Sequence, residues 1–468
     1  MAAKSFLRWV RHPSFWLVAQ GIALAIFLTA ASQLHPHGTP DTSSYQRFPL
    51  DSLHAALEHS RTFGYPIFLR LAGSLADHSA AVPGCQLAIH FGAIWVFYLG
   101  VCRLLDSRWL AFAAASPLLY SNILFGYVNN LIADSLASSI SVATVGVLLW
   151  LVSGRCSSWL WLVLSAACFA TYQVRPAYLF LVFLLPILGS GLYWMRAREL
   201  PHGGIEIHWL GSKLAACGLV PLLAYCAVRW WLVGHFALVS FGGNNFVGTV
   251  GVFLNQDMVS ELPPDLQRLA ETAIETRKKA VARHPEYSDE PTLQYMEIEN
   301  RFDFNTWVVF VPSAQRLYGN DQPRINAELR RLAVAIIVAR PGYYLAWLGK
   351  AAWRGICVAL LDLAQNPIYL GGLVGLLALH GCVVVRTVGG PPETRLEDRA
   401  EPSALRFPFN AILLVALVFA GMKLLLIIIT TPPLGRFMDA GAVFFPALLG
   451  IGLFDRWSRL RNMRLRKV

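Results

Sequence analysis

The sequence predicts an all-α polytopic membrane protein with about ten transmembrane helices, external amphipathic helices and one larger external loop. Of its 468 residues, 56% are hydrophobic and 14% charged, against roughly 25% charged in an ordinary soluble domain. A soluble core cannot absorb that much apolar side chain. The charges are bunched between long charge-free runs, each close to the roughly 20 residues that cross about 30 Å of hydrocarbon as helix. The net charge of +11 is gathered beside the ends of these runs and forms no continuous stripe. It reads as a set of topology signals, with no nucleic-acid partner implied.

Lys4, Arg8 and Arg11 precede the first run, and Arg456, Arg459, Arg461, Arg464, Arg466 and Lys467 follow the last. Basic flanks stay inside, which puts both termini in the cytoplasm. The first span covers about 14–32. Ala30-Ala31 could mark a cleavage site, but the apolar run is long and more spans follow, so an uncleaved signal anchor is the better reading. Residues 33–65 are then an external loop. Within it Pro49 precedes Leu50, Leu53 and Leu57 on one helical face, with Asp51, Glu58 and His59 elsewhere. That is the pattern of an amphipathic helix on the membrane surface.

Spans two to seven fall near 80–104, 110–125, 131–151, 158–172, 177–195 and 209–233. Arg103 with Arg108, then Arg155, then Arg196 with Arg198 sit in inner connectors, whereas the connectors around Asn129 and Arg175 fall outside. Residues 235–350 are the long hydrophilic stretch, an external loop or small cap with two helices expected. One is capped by Asp265 after Pro263-Pro264 and carries Leu266, Leu269 and Ala273. The other is opened by Pro323, carries Leu329, Leu332 and Ile336, and ends at Pro341. The last three spans lie near 368–385, 409–429 and 440–454, separated by a charged inner loop, 386–406, and a tight outer one, 430–436. Their even total agrees with two cytoplasmic termini.

The chain thus divides into an N-terminal transmembrane module, 1–234, with external loop 33–65; the cap, 235–350; and a C-terminal transmembrane module with a basic tail, 351–468. The eight cysteines show no CxxC and read as buried thiols.

Polar residues too costly for lipid collect on the external side: Asp41, Tyr45, Asp51, Arg61, Asp134, Arg175, Lys350, Arg354 and Arg436. Carboxylates there suit acid/base work, and arginines suit phosphate binding. Each also has a plainer reading. Asp41, in Thr-Pro-Asp-Thr-Ser-Ser, could close an Asx turn, and Asp134 could cap the fourth span. Arg175 and Arg436 could be anchors that snorkel to headgroups. His35, His37, His54 and His59 raise a divalent-metal site, but a one-residue spacing lacks a third ligand fixed by structure; no cofactor is assigned. Trp230, Trp231, Tyr343, Tyr344, Trp347 and Trp353 read as interfacial belts, some able to stack on a sugar. Phe241-Gly-Gly-Asn-Asn245 is a polar turn on the same side without phosphate-loop spacing. His90, inside the second span, reads as a packed polar residue.

The order of these features resembles the GT-C superfamily of membrane glycosyltransferases. A first span is followed by Asp41-Thr-Ser-Ser-Tyr45 in an external loop, a surface helix, and Gly64-Tyr65-Pro66 opening a new apolar run. Asn129-Asn130-Leu-Ile-Ala-Asp134 then opens an early span, Arg175-Pro176 marks a helix boundary, and Pro432-Pro433-Leu-Gly435-Arg436 precedes the last span. Two departures stand out: loop one carries a single Asp where several subfamilies have an acidic pair, and Asp134 stands where Glu is common.

The resemblance implies a polyprenyl-phosphate-linked sugar donor and a glycan, lipid or protein acceptor, meeting among membrane lipids at the external face of a bacterial inner (plasma) membrane. It makes Asp41 the general base and gathers Tyr45, Arg61, Tyr65, Asp134, Arg175, Lys350 and Arg436 around the substrates. Two rival classes stand beside it: a transporter or flippase, in which the same charges line a pathway, and a polysaccharide polymerase or ligase using a diphosphate-linked donor.

Overall fold

The computed structural model describes residues 12–75, 79–154, 157–198, 207–388 and 406–465. Lys4, Arg8, Arg11, Arg155, Cys156, Arg466, Lys467 and most of the inner loop 386–406 lie outside the described residues. Among those described, the chain is helical and holds no strand, only an isolated bridge between His37 and Asn130.

Ten segments run the length of one bundle: α1 (Pro13–Ala30), α2 (Val82–Leu105), α3 (Arg108–Tyr127), α4 (Ala133–Val152), α5 (Trp159–Val174), α6 (Leu181–Ala197), α7 (Ile207–Val233), α8 (Pro367–Val388), α9 (Arg406–Thr430) and α10 (Phe445–Leu465). Among the described residues eight are long and apolar enough to cross a membrane, α6 when counted from Pro176. At 16 residues α5 is shorter, and α10 passes the same test only with the short helix Gly435–Gly441, which meets it at a 45° bend. Local chemistry sets the starts. Pro13 opens α1, where its missing N–H costs nothing, and the Ser107 hydroxyl caps α3 by accepting from the Leu110 amide at 3.3 Å. Inside the bundle α2 and α4 touch backbone to backbone. A Cβ at Gly100 would lie 2.1 Å from the Gly146 carbonyl oxygen, the small-residue contact by which helices pack closely without hydrophobic drive.

Contacts between helix ends fix the direction of each segment. At one end, here the upper, the His37 amide donates to the Asn129 carbonyl between α3 and α4, and the Leu131 amide donates back to His37. Arg229, near the top of α7, donates to the Leu57 carbonyl of loop one at 2.7 Å. At the lower end His12, before α1, meets Arg108 at the start of α3 at 3.0 Å, and Arg196 donates to the Val152 carbonyl at 3.2 Å. So α1 begins and α10 ends at the lower end.

A second bent pair, Gln322–Ala339 with Pro341–Gln365, turns through 102° and is not an eleventh traverse. Near the start of Pro341–Gln365, Tyr344 and Trp347 donate to the carbonyls of Ile429 and Ile428 at the top of α9, each at 2.9 Å. Just past its other end, Asn366 bonds to Asn122 at 2.6 Å and to the Tyr120 carbonyl at 2.9 Å, in the upper part of α3. Both ends hold the same end of the bundle, so this helix lies across it. Its exposed side carries Leu345, Trp353, Leu360 and Leu361. The expected division at 350/351 falls in the middle of this continuous helix.

Between Gly242 and Ala352 the chain builds a second apolar core, around Leu269, Phe310, Leu329 and Trp347. Two helices are expected there. Five α-helices and a π-helical stretch, Phe304–Phe310, are found. The two expected are the long ones, Pro264–Val281 and Gln322–Ala339; the others have 8 or 9 residues, too few for a period to show. Asp265 does not cap its helix. The carboxylate sits in the first turn and turns outward to an ion pair with Arg331.

Loop one is folded down onto the bundle through Gly64. A Cβ there would lie 2.5 Å from the Gln173 carbonyl carbon at the top of α5, so the helix Gly64–Gly73 can dock only with glycine at that point. Gly64→Ala is expected to cost about 1–3 kcal/mol as an overpacking change, seen as a fall of several degrees in Tm. An unchanged Tm would mean that loop one does not depend on this contact.

Candidate functional site

The helix Thr42–Gln46 is pinned at the top of the bundle. The Thr42 hydroxyl donates to the Leu131 carbonyl at 3.0 Å and accepts from the Thr39 amide at 2.7 Å. Asp41 precedes this helix, but its carboxylate makes no capping bond. It faces two guanidinium groups instead. Arg61 Nη2 donates to Oδ1 at 2.6 Å, and Arg436 Nη1 stands 3.7 Å from Oδ2. The Asx-turn reading therefore does not describe what this carboxylate does.

A second pair lies deeper. Asp134, 2% exposed, accepts from Arg175. It too makes no capping bond, although it sits in the first turn of α4, so the capping reading is corrected: burial demands a countercharge, and Arg175 supplies it. The Arg175 side chain is only 12% exposed, which excludes a snorkelling anchor. Arg175 and Arg436 flank one ring, with their guanidinium carbons 5.2 and 4.9 Å from the centroid of Phe437. Three guanidiniums, always charged, thus face two carboxylates, leaving one positive charge uncompensated.

Aromatic rings hold Arg61 in place. It lies 5.0 Å from the Tyr45 ring and 5.4 Å from Phe241, which precedes the helix Gly242–Val250 where the sequence reading expects a polar turn, and its Nε donates to Ser44 at 3.1 Å. Tyr45 meets Tyr65 edge-on at 4.9 Å. Burial pushes both phenols above their ordinary range, so both stay protonated at neutral pH. The Tyr65 hydroxyl and Arg436 Nε are buried and make no hydrogen bond among the described residues.

Asp41, Tyr45, Arg61, Tyr65, Asp134, Arg175 and Arg436 are thereby brought together. Lys350 is not among them: it donates to the Leu293 carbonyl of the cap at 2.7 Å. Arg354 faces Tyr295 and Glu299 along the same seam, and Asp51 is exposed. His37 bonds to the His35 carbonyl at 2.9 Å and His54 lies 3.9 Å from Glu58. Among the described residues no group of three His, Cys, Asp or Glu side chains could hold a metal ion.

Sequence reading passed over three participants. Phe437 adjoins Arg436. Arg229, fully buried in α7, ties the Leu57 and Ala237 carbonyls and the Ser240 hydroxyl together. Lys423 is buried in α9 beneath Arg175. The signal for the last two was a basic residue inside an otherwise apolar run. A further polar junction secures the helix that bears Arg436: Asp439, one turn on, accepts from Asn122 at 3.4 Å, and Asn122 also donates to the Asp362 carbonyl at 2.7 Å.

His59 sets the backbone at Arg61. Its Nδ1 accepts the Arg61 amide at 3.1 Å, which only the neutral ring with its proton on Nε2 can do. Burial, and then the nearby Arg61 charge, pull its pKa below the usual 6.5. The fold therefore binds fewer protons here than the unfolded chain, and the stability this gives is full above about pH 6.5 and lost as pH falls. Replacing His59 with Gln should flatten the change in Tm between about pH 5 and 7 relative to the native chain. Equal pH dependence in both would show that His59 does not contribute to it.

Comparison of the chain with protein-family models, curated proteins and solved structures finds no match.

Proposed function

We propose that the protein is a membrane glycosyltransferase of the GT-C type, moving a sugar from a polyprenyl-phosphate donor to an acceptor hydroxyl at the external face. One observation carries this reading: Asp41 lies between Arg61 and Arg436 at the same end of the bundle as Asp134 and Arg175, with a net positive charge. That is the combination a carboxylate base and an anionic leaving group require.

An apolar cavity of about 630 Å³ supports it. Leu53, Leu57, Phe63, Phe169, Pro221 and Val228 line it, between loop one and the helices α5 and α7. Phe63 is two residues from Arg61, so an isoprenoid chain in this groove would bring its phosphate toward the arginines.

In the proposed step the acceptor oxygen attacks the anomeric carbon as its proton passes to Asp41 Oδ2. The bond from that carbon to the phosphate oxygen breaks, and its electron pair leaves with the polyprenyl phosphate. Guanidinium groups suit that oxygen because their fork matches phosphate. Arg436 is the looser of the two partners of Asp41. A donor phosphate that draws Arg436 to itself opens Oδ2 to the incoming hydroxyl, so donor binding and exposure of the base are linked.

Asp41→Asn in purified protein given a lipid-phosphate sugar is expected to lower kcat by at least about 100-fold with Tm preserved; wild-type turnover would remove Asp41 from the mechanism. Arg436→Ala should lower kcat/KM by about 100-fold, with Lys restoring part of the loss. Reconstituted liposomes that move lipid or solute without forming a glycoside would instead favour the transporter class.

A further inference from the structure

The crossing helix Pro341–Gln365 is turned the wrong way round for a helix in water. Its buried stripe is Trp347, Ala351 and Gly355. Leu345, Trp353, Ile356 and Leu360 fall on the opposite side at helical spacing, and all four are exposed. The three charged residues of the helix lie outside that second stripe and turn back to the protein. Lys350 donates to the Leu293 carbonyl at 2.7 Å, Arg354 faces Tyr295 and Glu299, and Asp362 Oδ2 lies 3.6 Å from where a Cβ at Gly435 would stand. A helix facing water presents its charges outward and its apolar residues inward.

Depth decides what covers the stripe. A Cβ at Gly355 would lie 2.4 Å from Leu424 Cδ1, and Leu424 is about 9 Å below the upper end of α9 at Thr430. Asn366, just past the helix, bonds to Asn122 at 2.6 Å, and Asn122 is about 8 Å below the end of α3 at Tyr127. From its midpoint onward the crossing helix therefore runs beneath the helix ends at the depth of an interfacial helix, whose apolar face sinks about 5–10 Å past the headgroups. At its C-terminal end the stripe meets α8, which starts at Pro367 and exposes Leu370, Val374 and Leu377. The stripe is thus continuous with the surface that a traverse presents to lipid, and a protein partner arriving from outside would have to displace lipid to reach it.

We propose that Pro341–Gln365 is seated in the upper leaflet of the bilayer, with Leu345, Trp353, Ile356 and Leu360 among lipid acyl chains. The partner is the acyl region and not an anionic headgroup, because none of the charged side chains of the helix is on that side. The inner side of the same helix lies against Pro433 and Met438, which flank Arg436, so the leaflet backs the segment that carries Arg436. The seat rests on the bundle spanning a membrane and is independent of the glycosyltransferase reading.

The test uses the native full-length chain in liposomes that contain a phosphatidylcholine with a diazirine midway along one acyl chain. Cross-linked peptides are mapped by mass spectrometry. Residues 345–361 are expected to take label at a yield per residue near that of α8, and at least about tenfold above that of the cap helix Pro264–Val281, as lipid contact differs from water contact. Yields are expected to be equal in neutral and anionic vesicles and at low and high salt. Label on α8 with none on 345–361 overturns the seat and leaves a protein partner to cover the stripe. Label on 345–361 that needs anionic lipid, or that high salt removes, overturns acyl contact in favour of headgroup attachment. If α8 is unlabelled as well, the chain does not span the bilayer and the seat falls with the spans.

Discussion

Charge removed from water must be met by opposite charge, and at the upper end of this bundle that requirement falls on the ion pair of Asp134 and Arg175. The carboxylate is almost wholly enclosed. Removing either partner would leave a buried charge alone, a loss of about 3–5 kcal/mol in comparable cases. Because Asp134 opens α4 and Arg175 closes α5, the pair also fixes the register of two adjacent helices. The turn after Arg175 then covers Lys423, and the ring of Phe437 is held between Arg175 and Arg436. Asp41 joins this arrangement from loop one through Arg436.

Loop one reaches that position by close backbone contact and by hydrogen bonds to main-chain carbonyls. His37 adds a short extended pairing beside Asn130, Gly64 permits contact with the top of α5, and Arg229 holds the Leu57 carbonyl from inside α7. The crossing helix Pro341–Gln365 bridges the tops of α9 and α3 in the same way, by side chains that bond to main-chain carbonyls. Main-chain carbonyls at helix ends lack partners within their own helix. The buried polar side chains of the connecting segments find their hydrogen bonds there.

Much of this was legible in the residues. Long uncharged runs show where helices traverse the bundle, and the expense of Asp41, Asp134, Arg175 and Arg436 near the ends of those runs singles them out. Their spatial meeting was not legible, because Asp41 and Arg436 are brought together only by the closure of the whole bundle. Lys423 was hidden by its own surroundings: one ammonium among leucines and isoleucines barely lowers the apolar character of α9. The path of Pro341–Gln365 was equally out of reach, since an amphipathic helix that lies across a bundle and one that passes through it share the same period. Asp265 shows the reverse error, in which a short-range rule for helix starts gave way to a partner 66 residues away.

The brevity of α5 bears on the surroundings of the site. Sixteen residues of helix reach about 24 Å, some 6 Å less than typical hydrocarbon thickness. Around such a segment a bilayer adapts by thinning locally. Phe169 of α5 lines the apolar groove, so the dimple would form on the lipid side of the groove's mouth. For the lipid-linked donor proposed above, a headgroup resting there would sit lower than its neighbours, with its polar end level with the arginines and its chain still in its leaflet.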